Sequence, residues 1–100
     1  MITFTVKRLN QFSDWLKGLK DPVTRQRLNT RLRKVSLGNL GDIGPVGDGV
    51  FEMREHFGPG WRMYFVQRAG VVIVMLGGGN KLTQQSDIAR AIELSKSLED

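Results

Sequence analysis

One hundred residues with an apolar fraction of 40% and a charged fraction of 25% suffice for one soluble domain around one core. The absence of cysteine excludes disulfides, thiolate metal sites and a cysteine nucleophile, and a single histidine argues against a histidine-based zinc site. The net charge of +5 is unevenly spread: residues 1–38 hold nine Lys/Arg against two Asp, a local +7, which suits nucleic acid or an acidic partner.

In chain order, Ile2–Val6 alternates β-branched and aromatic residues and predicts a strand. Phe12, Trp15, Leu16 and Leu19 recur at i, i+3, i+4 and i+7, one face of a helix, which Gly18 and the pair Asp21-Pro22 terminate. Pro22 suits the first turn of a second helix, with Asp21 as its N-cap. Leu28, Leu32 and Val35 mark the inner face of that helix, and Arg25, Arg27, Arg31, Arg33 and Lys34 take much of the remainder. The two helices read as an amphipathic hairpin whose basic surface is either simply solvated or a docking surface. Residues 37–49, with a glycine every third position from Gly38 to Gly47, read as an irregular loop over the edge of the domain.

Two alternating strands follow, Val50–Phe57 and Trp61–Gln67. Between them Pro59 and Gly60 fit the two central positions of a type II turn. Arg68-Ala69-Gly70 turns into a strand that is apolar on both faces through Gly79, as a central strand should be. Residues 86–98 predict a last helix with Ile88, Ala91 and Ile92 inside. The fold class is α+β: an N-terminal strand and a helical hairpin packed on one face of an antiparallel sheet, with a C-terminal helix, all in a single domain spanning 1–100. Alternation buries Phe51, Met53, Phe57, Trp61, Met63 and Phe65 under the helical hairpin. It places Glu52, Arg54, Arg62 and Tyr64, with His56 nearby, together on the opposite face, expected to be open. The longest apolar run, Val71–Leu76, is too short to span a bilayer, and the first residues lack the order of a signal peptide, so a cytoplasmic location is expected.

The stretches "GDGVFEMREHFGPGWRMYF" and "VIVMLGGGNKLTQQSDIARA", with the strand–helix–helix start, resemble the HigB-type branch of the RelE/ParE toxin superfamily, the addiction-module killer proteins. The resemblance covers nearly the whole chain. It implies the toxin of a type II toxin–antitoxin pair, neutralised by a helix-turn-helix antitoxin, which cleaves mRNA on the translating ribosome with no metal and no cofactor. In that chemistry the ribose 2′-OH attacks the adjacent phosphate, so cations must meet growing negative charge and a base and an acid must move protons. The resemblance implies Arg62, after the turn, as phosphate clamp, with Arg54 second and Lys81 as charge stabiliser or acid. His56 suits proton transfer because imidazole exchanges protons near neutrality, and Glu52 is a possible base. Tyr64 and Gln84 would orient RNA, and Arg25, Arg27, Arg31, Arg33 and Lys34 would dock on it. RelE-like relatives carry lysines where this chain has Glu52, and an arginine and a tyrosine where it has Leu82 and Ile88, so their acid–base set does not transfer. The ParE branch, which inhibits DNA gyrase without cutting RNA, is the alternative.

Overall fold

Asp21 sets the register of the helical hairpin. Its carboxylate accepts from the Val23 amide (3.1 Å) and the Thr24 hydroxyl (2.9 Å), and Pro22 occupies the first helical position. These contacts, Thr24 first, hold the Asp21 carboxyl below the usual carboxylate range. The structure, a computed structural model, describes residues 2–98. They form β1 (Thr5–Arg8), α1 (Asn10–Gly18), α2 (Pro22–Ser36), β2 (Ile43–Gly47), β3 (Val50–Arg54), β4 (Arg62–Arg68), β5 (Val72–Gly79) and α3 (Gln84–Lys96). Among the described residues no helix is long and apolar enough to cross a membrane.

The five strands form one sheet in the order β1-β5-β4-β3-β2. β2, β3, β4 and β5 pair antiparallel through short connections, whereas β1 lies parallel to β5, Thr5 opposite Val72 and Arg8 opposite Met75. The sheet is therefore mixed rather than wholly antiparallel. β1 is separated from its partner by more than sixty residues, and no turn chemistry reports such a pairing. β1 also starts later than Ile2, because the Phe4 amide donates to the Ser36 carbonyl at the end of α2 instead of to a strand.

The segment 37–49 is not all loop. Ile43–Gly47 pairs with β3 as an edge strand, a position that tolerates Pro45 because an edge has one side without a ladder. The turn after β3 also differs by one position from the expected type II geometry. The Gly60 amide donates to the Phe57 carbonyl (3.1 Å), so Gly58 (φ +57°) and Pro59 are the central pair. Gly60 has a left-handed φ too, +79°.

Two cores sandwich the sheet. Phe12, Leu16, Leu28, Leu32 and Val35 of the hairpin pack on Met53, Met63, Phe65, Ile73 and Met75. On the other face Val50, Tyr64, Val66, Val74 and Leu76 pack against Ala91, with Ile88 and Ile92 alongside. The face expected to be open is thus covered by α3. β5 lies between β1 and β4 and is apolar on both sides for that reason.

Candidate functional site

The β3–β4 register places Glu52 opposite Tyr64 and Arg54 opposite Arg62, all four on the α3 face, as alternation predicts. What alternation does not convey is depth. Glu52 is 5% exposed, Arg62 4% and Tyr64 0%, because α3 and its leading loop lie over them. A buried carboxylate needs cationic or hydrogen-bonding partners, and Glu52 has three neighbours. Arg54 Nε donates to Oε2 (2.9 Å), Gln84 Nε2 in the first turn of α3 donates to Oε1 (2.8 Å), and Arg62 Nε lies 3.8 Å from Oε1.

From Arg54 the network runs outward. Its Nη1 donates to Asp42 Oδ1 (3.1 Å), and Asp42 Oδ2 meets His56 Nε2 at 2.7 Å. Gly44 makes this possible, since a Cβ there would fall 1.9 Å from Arg54 Nη2. The His56 imidazole, then the Arg54 guanidinium, holds the Asp42 carboxyl below the usual carboxylate range. Glu52 first, then Asp42, raises the Arg54 guanidinium above its ordinary value. The side chains of Arg54 (33% exposed), Asp42 (47%) and His56 (70%) form the solvent-facing end of the chain of contacts.

Arg62 points inward. Its Nη1 donates to the carbonyls of Glu55 (3.2 Å) and Trp61 (3.0 Å), tying off the ends of the turn, and its Nε has no hydrogen-bond partner. The Tyr64 hydroxyl also has none. Burial, then the charges of Glu52 and Asp87, pushes the Tyr64 phenol well above its ordinary pKa, so it stays protonated. Lys81 is exposed, and its amide donates to the Pro59 carbonyl (3.4 Å). Its Cγ and Cδ lie 3.0 Å from where a Gly60 Cβ would sit, and Arg62 Nη1 lies 3.7 Å from that point. Glycine at position 60 thus lets Lys81 lie across the turn above Arg62.

The basic hairpin divides into different roles. Arg31 is a strut: it donates to the carbonyls of Leu40, Asp42 and Arg54 and pairs with Glu55, its side chain 10% exposed. Arg25 donates to the Leu19 carbonyl, and the Arg27 guanidinium lies 3.7 Å from the centre of the Phe57 ring. Arg33 and Lys34 are exposed. Asp42 was not singled out by sequence reasoning, and Glu55 pairs with Arg31 rather than with Arg54. Asp42 lies in the glycine-rich stretch, and nothing local marks it as the partner of residues 54 and 56. Asp87 fills the space left by Gly79, where a Cβ would lie 1.8 Å from its Oδ2.

The surface end of this arrangement combines an imidazole oriented by a carboxylate with a guanidinium. Such groups can move a proton and meet an anion. Among the described residues no cluster of three or more His, Asp or Glu side chains is placed to hold a metal ion.

No protein-family model matches the chain. An uncharacterized protein of Haemophilus influenzae is 38% identical over 97 residues, which cover 97% of this chain and 98% of that protein. Among solved structures, free Escherichia coli toxin RelE, in a mutant form, superposes with a TM-score of 0.72 at 12% identity, covering 97% of this chain and all of that one. A chain of the Mycobacterium tuberculosis RelBE2 toxin–antitoxin complex superposes with a TM-score of 0.66 at 16% identity, covering 80% of this chain and all of that one. These likenesses show the fold, an α+β domain of the RelE type.

Proposed function

This chain belongs to one family with the uncharacterized H. influenzae protein and has the RelE toxin fold, and from that premise we propose that it is the toxin of a type II toxin–antitoxin pair and an endoribonuclease. The observation that carries the nuclease reading is the 2.7 Å contact between His56 and Asp42 beside the half-exposed Arg54. Asp42 orients the imidazole, so that it can take the 2′-OH proton or protonate the leaving oxygen. Arg54, with Lys81 across the neighbouring turn, meets the charge that grows on the phosphate oxygens. Arg62 and Glu52 lie beneath these exposed groups, under Arg54 and the turn. No step needs a metal or a cofactor.

The sequence pattern supports the HigB-type branch, and with it mRNA on the translating ribosome as target, a helix-turn-helix antitoxin as partner and the cytoplasm as location. Arg33 and Lys34 on the outer side of α2 supply phosphate contacts for docking on RNA. The RelBE2 structure, itself a toxin–antitoxin complex, supports an antitoxin partner. The test is induction in cells followed by mapping of mRNA 5′ ends. New ends are expected with the wild type and a loss of about a hundredfold with His56→Ala, the usual scale of one general acid or base. Intact mRNA accompanied by DNA damage would refute the nuclease and mark a gyrase inhibitor of the ParE kind.

A further inference from the structure

The Glu52 carboxylate sits where donors converge from three elements. Arg54 on β3, Arg62 on β4 and Gln84 on α3 direct Nε, Nε and Nε2 at its two oxygens, at 2.9, 3.8 and 2.8 Å. The side chains of Glu52 and Arg62 are 7% and 5% exposed, so this end of the cluster is buried, while Arg54 reaches solvent. Two donors of this buried face make no hydrogen bond, Arg62 Nε and the Tyr64 hydroxyl, and Tyr64 is the cross-strand partner of Glu52. Buried donors normally find acceptors. A planar carboxylate offers two oxygens at one end of a short arm, whereas a tetrahedral phosphoryl group offers oxygens in three dimensions. Two guanidinium groups and an amide are donors suited to such a group.

We propose that Arg54, Arg62 and Gln84 form a phosphoryl-anion site that Glu52 masks in the free protein. The Glu52 carboxylate is a stand-in for phosphate. It balances two guanidinium groups that would otherwise face each other, one of them buried, and it yields to a phosphoryl group that enters past Arg54, the exposed member of the set. This inference rests on the nuclease reading only for the source of the phosphate, a phosphodiester of RNA. It also gives Glu52 a role other than that of a base: it holds the cations in place until substrate replaces it.

The test is thermal unfolding of the full chain in inorganic phosphate against chloride at matched ionic strength. For Glu52→Ala the midpoint is expected to rise by several degrees and to saturate with phosphate, as binding to the folded state alone requires. The wild type is expected to show only the small, non-saturating rise that phosphate gives folded proteins generally. Adding Arg62→Leu to Glu52→Ala should abolish the phosphate-specific rise. If Glu52→Ala is unfolded in chloride, recovery of its circular dichroism with added phosphate is the same readout. Phosphate and chloride acting alike on Glu52→Ala, or phosphate acting equally on Glu52→Ala and wild type, overturns the proposal. No RNA enters this titration, so rescue by phosphate in a protein that leaves mRNA intact would remove the nuclease reading alone.

Discussion

Replacing Arg31 by methionine distinguishes a strut from a docking residue. The guanidinium donates to the carbonyls of Leu40 (2.9 Å), Asp42 (2.8 Å) and Arg54 (2.8 Å) and pairs with Glu55, joining α2, the entry to β2 and the exit of β3. Methionine keeps the stem and its packing but supplies none of these donors. Breaking a buried ion pair from one side costs about 3–5 kcal/mol, and each hydrogen bond to a charged group contributes about 1.5–3 kcal/mol. Water can reach the Asp42 carbonyl and part of Glu55, which is 17% exposed, so these terms do not add fully. The expected loss is about 4 kcal/mol, a large share of the roughly 5–15 kcal/mol that holds a small domain together. For a chain of this length that corresponds to a fall in Tm of roughly 15–30 °C. Urea unfolding followed by circular dichroism measures it. Arg31→Lys should recover less than half of the loss, because one ammonium cannot span four acceptors on two segments. Lys34→Met on the exposed side of the same helix should stay within about 0.5 kcal/mol. A loss below about 1 kcal/mol for Arg31→Met would refute the strut and return Arg31 to the solvated surface.

Other outcomes follow from the same contacts. Tyr64→Phe removes a buried hydroxyl that has no partner, so it should leave stability unchanged or raise it by up to about 1 kcal/mol in urea unfolding; a clear loss would reveal a missing bond. The protein has one tyrosine, and its phenolate absorbance should appear only well above the ordinary phenol value of about 10. Because that pKa is raised by folding, the stability linked to Tyr64 is full below about 10 and is lost as pH rises above it. Asp42 has the opposite sign: its pKa is lowered, so its stabilisation is present above about 3.9 and disappears as pH falls through the lowered value. Carboxyl carbon NMR should place the Asp42 midpoint below about 3.9 and show it moving up in His56→Ala; an unchanged midpoint would remove His56 as the main cause. Ala69 holds φ at +50° in the exposed turn before β5, so Ala69→Asn should raise the urea midpoint, by about 0.5–1 kcal/mol in stability; no gain would mean that the turn carries no strain.

The sequence by itself determined most of the elements, the edge strand β2 excepted, and the faces of α1, α2, β3 and β4. Phe12 and Leu16, then Leu28, Leu32 and Val35, repeat at helical spacing, and the same residues are buried on the hairpin side of the sheet. Asp21 and Pro22 mark the start of α2 by local chemistry, which needs nothing beyond a few neighbouring residues. Alternation put Glu52, Arg54, Arg62 and Tyr64 on one side, and the β3–β4 register keeps them there, because the period of a strand is a backbone property.

Only the tertiary structure decided depth and partnership. Whether Arg62 and Glu52 meet water depends on α3 folding back over them from twenty or more residues away, and periodicity within β3 or β4 contains no information about that cover. The pairing of β1 with β5, of Arg31 with Glu55 and of Asp42 with His56 likewise joins segments whose spacing in the chain is arbitrary. The basic residues of α2 look alike in sequence. Arg31 becomes a strut while Lys34 stays on the surface, because one faces the β2–β3 corner and the other faces solvent.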